Sequence, residues 1–295
     1  MPELPDIAVY CESIEHVLAG ATLERILLPS IFILRTVDPP IPEFENKRLA
    51  NVTRLGKRIV LGFEGDLFAV IHLMIAGRLK WFPAGSKVPL NKLVLARFEF
   101  DRGALALTEA GTKRRASLHL ARGRDSLSAH DPGGIDPLTC DLMEFTSRLQ
   151  HENHTLKRAL ADPRSFSGIG NSYSDEILHR ARLSPLALSQ KLAPSEVARL
   201  HAATREVLQE WLSRLRLEAQ QRFPEKVTAF RPEMAVHGKF RQPCPVCGGL
   251  VQRIVYAENE CNYCPTCQTG GKLLADRAWS RLLKSSWPKS ADDLL

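Results

Sequence analysis

No segment of the chain approaches the roughly 18 consecutive apolar residues of a membrane-spanning helix, so no membrane association is expected. The opening MPELPDIAVY has neither the basic stretch nor the apolar core of a secretory signal, which predicts a cytoplasmic protein, nucleoid-associated if bacterial. Internal repeats and low-complexity tracts are absent. A charged fraction of 25% beside 44% hydrophobic residues is ordinary for a globular chain and argues against disorder, collagen and coiled coil. Gly168-Ile-Gly170 has no preceding strand and no third spaced glycine, so it is not a dinucleotide fingerprint. A phosphate-metal motif is also missing. The seven cysteines are an odd number without a signal peptide, which argues against a disulfide framework.

What is present divides in two. The 295 residues suit one large or two medium domains. The first half reads as strands over 58–63, 67–74, 93–100 and 104–108, with Glu64-Gly65-Asp66 as a tight hairpin loop. It is preceded by one amphipathic helix carrying Ile7, Cys11, Ile14, Val17 and Leu18 and stopped by Gly20. Around 131–137 the chain is turn-rich. Beyond it one helix begins near Asn171, with Ile177 and Leu178. A long one opens at Pro194 with Val197, Leu200, Val207, Leu208, Trp211, Leu212 and Leu215 on its apolar face. Lys and Arg number 40 against 33 Asp and Glu, a net charge of +7. They cluster at Lys113, Arg114, Arg115, Arg122 and Arg124, at Lys157 and Arg158, and near Lys239 and Arg241. Such clusters suit a polyanion such as nucleic acid, and equally a solvated surface.

Five cysteines fall between 244 and 267. Cys244-Pro-Val-Cys247 and Cys264-Pro-Thr-Cys267 form C-x2-C-x16-C-x2-C, a spacing that can place four thiolates about 2.3 Å from one Zn²⁺. Cys261-Asn-Tyr-Cys264 is also C-x2-C, but the shared Cys-Pro-x-Cys form favours 264 and 267 and leaves Cys261 a spare thiol. Four cysteine ligands leave no open position, so this zinc is structural, and with a strand over 251–256 the module reads as a β-hairpin finger. At the other end, Met1 precedes Pro2, a small residue that permits Met removal. A freed terminal amine titrates near pH 8, and a secondary amine attacking an anomeric carbon gives an iminium that a nearby carboxylate, Glu3, can assist. Read from these residues alone, Met-Pro-Glu is just a start.

The opening Met-Pro-Glu-Leu-Pro-Asp resembles that of the formamidopyrimidine-DNA glycosylase/endonuclease VIII family. Gly168-Ile-Gly-Asn171-Ser-Tyr173-Ser-Asp175-Glu176-Ile-Leu178 resembles its helix–two-turns–helix segment, and the four-cysteine finger matches in spacing and place. The three lie in the family's order over essentially the whole chain. The resemblance implies an α+β multidomain fold. Its N-terminal β-sandwich with flanking helices spans 1–130, followed by a linker over 131–140. A helical domain carrying the helix–two-turns–helix covers 141–240, the four-cysteine β-hairpin zinc finger 241–270, and a C-terminal extension 271–295, in which Trp279 and Trp287 are expected to pack back on the protein. DNA would lie between the two domains.

The same resemblance implies a DNA repair glycosylase with lyase activity, acting as a monomer on damaged DNA. Pro2 would be the Schiff-base nucleophile, Glu3 the general acid/base, and Lys57 the turn lysine that approaches lesion and phosphate. Asp6 and Glu176 would stand near the site. Lys157, Gly170, Asn171 and Tyr173 would meet the backbone at the damaged nucleotide, the helix opened by Asn171 presenting free N–H groups to phosphate. Successive β- and δ-eliminations would follow base loss.

Several positions depart from the family pattern. Asp6 stands where many members carry Glu. Ile75, with Met74 one place earlier, occupies the position of a void-filling Met. The loop from Thr108 to Leu118 is basic (Lys113, Arg114, Arg115) but lacks the family's aromatic wedge, so these residues are expected to contact phosphate. Asn259 replaces a phosphate-gripping Arg of the finger, the loss of a charge-assisted contact. The lesion is therefore left open among oxidised pyrimidines, ring-opened purines, abasic sites and lesions in single strands, with a non-catalytic damaged-DNA binder as the alternative. His72, His119 and His237 form no ligand spacing and read as structural or surface residues.

Overall fold

A computed structural model describes residues 1–89, 91–111, 113–225, 227–256, 259–274 and 290. They form two compact units, one of residues 1–132 and 211–228, the other of 133–210 and 229–295.

The first unit opens with helix α1 (Leu4–Leu18), with Pro5 in its first turn, where the missing N–H costs nothing. Leu4, Ile7, Tyr10, Cys11, Ile14 and Leu18 recur at helical spacing and are buried. Eight strands follow: β1 (Thr22–Leu27), β2 (Lys47–Leu55), β3 (Arg58–Phe63), β4 (Leu67–His72), β5 (Gly77–Pro83), β6 (Val94–Phe100), β7 (Gly103–Glu109) and β8 (Ser117–Arg122). They pair antiparallel in the order β5-β7-β6-β1-β2-β3-β4-β8. Register shifts in β1 and β2 fall where those two strands share only the pairs Thr22–Arg48 and Leu23–Lys47. The two halves of the sheet and α1 enclose one core, with Phe63 of β3 stacked on Phe100 of β6. A bulge at such a junction bends a strand and lets one sheet fold over its own core, the sandwich expected from the sequence. The outer face of β3, β4 and β8 buries Val60, Phe68, Val70 and Ala121 under Leu127 of a 3-10 turn (Arg124–His130). Both faces of β3 are thus covered, and its residues read as a near-continuous apolar run.

The second unit contains α2 (Leu142–Gln150), capped by Asp141 accepting from Glu144 N–H at 2.8 Å, then α3 (Leu156–Ala161), α4 (Asn171–Arg180) and the start of α5 (Pro194–Gln221). Phe145 and Phe166 pack ring to ring at 4.8 Å between centroids. The unit ends in the hairpin β9 (Gln252–Tyr256) and β10 (Asn259–Tyr263) and the short α6 (Pro265–Thr269). Residues 211–228, expected within the helical domain 141–240, group with the first unit. Their Val227 and Phe223 pack against its core, so burial and not chain position assigns them. Trp279 and Trp287 lie outside the described residues. Among the described residues no helix is long and apolar enough to cross a membrane.

Candidate active site and nucleic-acid interface

In the N-terminal unit Pro2 and Glu3 are buried at the start of α1. Glu3 and Asp6 form a capping box: the Glu3 carboxylate accepts from Asp6 N–H, and Asp6 Oδ2 accepts from Glu3 N–H at 3.0 Å. The box fixes the angle at which the chain terminus leaves the helix. Burial is the largest influence on the terminal amine and lowers its pKa below the usual value. Arg78 and Lys57 push the same way, while Glu3 and Asp6 pull it back. The amine concerned is that of Met1, one residue before Pro2, and burial with the two cations disfavours its charged form while the neighbouring carboxylates favour it. Lys57 stands on the β2–β3 turn, which Gly56 makes possible with φ of +60°. Arg78 was not singled out from the sequence. It begins β5 beside a glycine and looks like any surface cation until the fold places it here.

The turn between β4 and β5 presents Ile75 at its tip, 57% exposed, while the left-handed residue is Met74. Gly77 N–H donates to Leu73 O at 2.9 Å, and Arg78 Nη1 donates to Ile75 O and Gly77 O, so the tip is tied from its own backbone. Beside it runs the loop between β7 and β8, where Gly111 lies against Ala76. Lys113, Arg114 and Arg115 are exposed there. Glu109, buried and unremarked in the sequence, shapes this loop: its carboxylate accepts from Arg115 and Ala116 N–H at 3.1–3.2 Å. The basic side chains are thereby directed to solvent, except that Arg114 donates to Lys92 O.

In the C-terminal unit Gly170 caps α4 and Asn171 opens it, half-buried, donating Nδ2–H to Glu260 O at 2.9 Å. Lys157 differs from expectation. It is 5% exposed, and its three ammonium protons go to Asn171 O (2.5 Å), Ser174 Oγ (2.9 Å) and Asp175 Oδ1 (2.6 Å), leaving none for a phosphate. Tyr173 is likewise packed in the core and offers no surface to DNA. Glu176 accepts three backbone N–H bonds, from Ala235, Val236 and His237, and so holds that turn. Burial pushes its pKa up, against the pull of those same bonds. Asp175 and His237 form a buried pair at 2.8 Å. Neither was selected from the sequence, because only the docking of the turn 235–237 on α4 through Glu176 brings them together. Asn259 is exposed on β10.

Cys244, Cys247, Cys264 and Cys267 bring their sulfurs within 4.8 Å of one another, with Cys247–Cys264 at 3.4 Å and Cys244–Cys267 at 3.9 Å. Tetrahedral thiolates about 2.3 Å from one zinc stand roughly 3.8 Å apart, so the donor set fits that ion. Cys261, buried on β10, is not among the four. His179 Nε2 lies 3.2 Å from Cys244 Sγ, and Gln268 bridges Cys264 N–H to Leu183 O, which joins the cluster to the end of α4.

Residues 1–118 match the formamidopyrimidine-DNA glycosylase N-terminal domain, and residues 134–219 match the formamidopyrimidine-DNA glycosylase H2TH domain. An uncharacterized formamidopyrimidine-DNA glycosylase-like protein of Mycobacterium tuberculosis is 42% identical over 51% of this chain and 94% of its own. The formamidopyrimidine-DNA glycosylase of Heliobacterium modesticaldum is 31% identical over 91% of this chain and 100% of its own. Among solved structures, a Lactococcus lactis Fpg mutant in complex with Fapy-dG-containing DNA superposes with a TM-score of 0.80 at 22% identity. It covers 91% of this chain and 100% of that one.

Proposed function

Because the chain belongs to the formamidopyrimidine-DNA glycosylase family, we propose that it excises damaged bases from DNA through a Schiff base on Pro2 and then cleaves the strand at the abasic sugar. The observation that carries this reading is the chain terminus itself. The Met1 amine is half-buried with its pKa lowered, and the next residue, Pro2, is buried beside Glu3, whose carboxylate the capping box fixes, so the Pro2 amine freed by Met1 removal would take up this setting. Once Met1 is removed, the secondary amine of Pro2 attacks C1′ of the damaged nucleotide. The C1′–N bond breaks and the base leaves with its electron pair and a proton. Glu3 protonates the ring oxygen as the sugar opens, which leaves an iminium on Pro2. Loss of a proton at C2′ expels the 3′ phosphate, and a second elimination expels the 5′ phosphate. Lys57 supplies positive charge on the same side of the unit.

Two features support a backbone grip in the C-terminal unit. Asn171 stands at the N-terminus of a ten-residue helix, where N–H groups and the helix dipole favour phosphate, and the turn 235–237 is held close by Glu176. The four thiolates would hold one structural Zn²⁺, whose contribution is folding of the finger and not chemistry. The basic, wedge-free loop at 110–116 supports phosphate contacts by Lys113, Arg114 and Arg115, which hold the strand without reading the base, and the substrates proposed from the family are oxidised or ring-opened bases. Extrusion of such a base costs least where pairing is already weakened.

The test is borohydride trapping on labelled oligonucleotides that carry an abasic site, 8-oxoguanine, a ring-opened purine or thymine glycol, each single- and double-stranded. A covalent adduct is expected with wild type and none with Pro2→Ala, while Glu3→Gln binds but traps slowly. Binding without an adduct on any substrate, the abasic site included, would show a damage binder without chemistry.

A further inference from the structure

The Asp175 carboxylate is buried in the C-terminal unit and joins α4 to three other stretches of chain. Its Oδ1 accepts from Lys157 of α3 at 2.6 Å. Its Oδ2 accepts from His237 Nδ1 at 2.8 Å and from the backbone and side-chain amides of Asn262 on β10 at 3.1 and 3.3 Å. Two further bonds close a ring. Lys157 also donates to the Asn171 carbonyl, and the Asn171 side chain donates to Glu260 O, two residues before Asn262 on the same strand. Asn262 Nδ2 in addition reaches Glu260 Oε1 at 3.1 Å. The circuit Asn171–Lys157–Asp175–Asn262–Glu260–Asn171 therefore runs through the first residue of α4 and the inner strand of the finger hairpin.

Charge and burial agree with this geometry. Burial alone would raise the pKa of Asp175, but Lys157 and His237 together hold it below the usual carboxylate range. Burial likewise opposes the Lys157 charge, and Asp175 overcomes it. A buried ion pair is a weak source of stability, because desolvation offsets most of the attraction, and an apolar pair of similar volume often serves as well. What such a pair supplies, when every donor and acceptor is filled, is a defined register between the elements it joins.

We propose that Asp175 is a positioning residue that sets Asn171 against the zinc hairpin, so that the grip on the DNA backbone depends on this carboxylate although it touches no DNA itself. The inference rests on the reading above that Asn171 meets the backbone. It also gives Lys157 a function: its ammonium orients the Asn171 backbone and is not a phosphate ligand.

The experiment is a double-mutant cycle on the full-length, zinc-loaded protein. It uses fluorescence anisotropy with a duplex carrying a tetrahydrofuran abasic analogue, and single-turnover borohydride trapping on an abasic duplex at saturating protein. Asp175→Asn is expected to weaken binding about tenfold or more, the size of a lost charge-assisted hydrogen bond, with the trapping rate at saturation close to wild type. Asn171→Ala is expected to weaken binding comparably, and the double variant no further than the weaker single, because one residue acts through the other. Wild-type binding by Asp175→Asn beside a weakened Asn171→Ala overturns the proposal alone, as do losses that add. Wild-type binding by Asn171→Ala overturns the reading beneath it as well. If melting and zinc stoichiometry show that Asp175→Asn does not fold, the cycle is run with Lys157→Gln/Asp175→Asn, which leaves no lone buried charge, and the same outcomes decide. A merely structural role would lower melting temperature and active fraction while the folded molecules bound DNA as wild type does.

Discussion

His72, at the end of β4, is kept neutral by its surroundings. Burial lowers its pKa to about 4, assisted by the positive charges of Arg58, Lys57 and His119. The unfolded chain would titrate this group near 6.5, so below that pH the unfolded state binds a proton that the folded state refuses. Stability is therefore whole above about 6.5 and falls as pH drops toward about 4. The loss is on the order of 1 to 3 kcal/mol before the smaller contributions of His119 and His130, which shift the same way. Urea titrations at pH 7 and pH 4.5 should show this loss for wild type and a smaller one for His72→Gln. Equal losses in the two proteins would assign the acid sensitivity elsewhere. At the same scale, Glu3 has two duties, since the carboxylate proposed to assist the sugar also caps α1. Its position follows from the first turn of a helix and needs no distant packing.

Among the elements, the turn between β4 and β5 is where a small change has the largest reach. A Cβ on Gly77 would lie 2.3 Å from Leu73 O and 2.9 Å from Leu73 Cα, backbone atoms that cannot swing aside. Gly77→Ala should therefore cost about 2 to 4 kcal/mol and displace the tip that presents Ile75. Chemical denaturation reads the cost, and hydrogen exchange at residues 73–77 reads the displacement. A cost below about 0.5 kcal/mol would mean that the turn relaxes freely. The elements legible beforehand were those with one dominant signal: β3 and β4 as apolar runs, α1 by its 3.6-residue period, and α5 by its length and opening Pro194. β1, β2 and β5 escaped because charged residues interrupt them. The burial of β2 alternates irregularly along Lys47–Leu55, and a bulge breaks the period at Asn51. The short helices α2 and α3 carry too few turns to show a period.

For the molecule as a whole, removal of the zinc proposed for the four thiolates should separate DNA binding from the fold of the N-terminal unit. The finger's apolar clusters are small (Cys244, Val251 and Cys264 with Val236, and Ile254, Cys261 and Tyr263 in the hairpin), too little to hold it without the ion. Chelation should unfold it and with it the Glu260 and Asn262 anchors of Asn171 and Asp175. DNA binding by anisotropy is then expected to fall and to return on adding zinc, while the N-terminal sheet keeps its far-ultraviolet dichroism. Undiminished binding by zinc-free protein would show that the grip does not pass through the hairpin.

Chemistry that depends on residue type and near spacing could be read directly from the chain. Whereas the roles proposed for Pro2 and Asn171 came from resemblance to a family, paired Cys-Pro-x-Cys knuckles specify four soft ligands, a carboxylate three residues from Glu3 specifies a capping box, and two glycines before Asn171 specify a turn that opens a helix. Each involves contacts within a few residues, where backbone geometry leaves little choice. Packing decided the rest. Lys157 turned inward because Asp175 and the Asn171 carbonyl await it there, Arg78 acts electrostatically on the Met1 amine although 77 residues separate them, and residues 211–228 joined the unit whose core Val227 and Phe223 could enter. Sequence spacing cannot report such partners, because burial of a charge is favourable only when a distant group neutralises it, and that group is supplied by the folded chain alone.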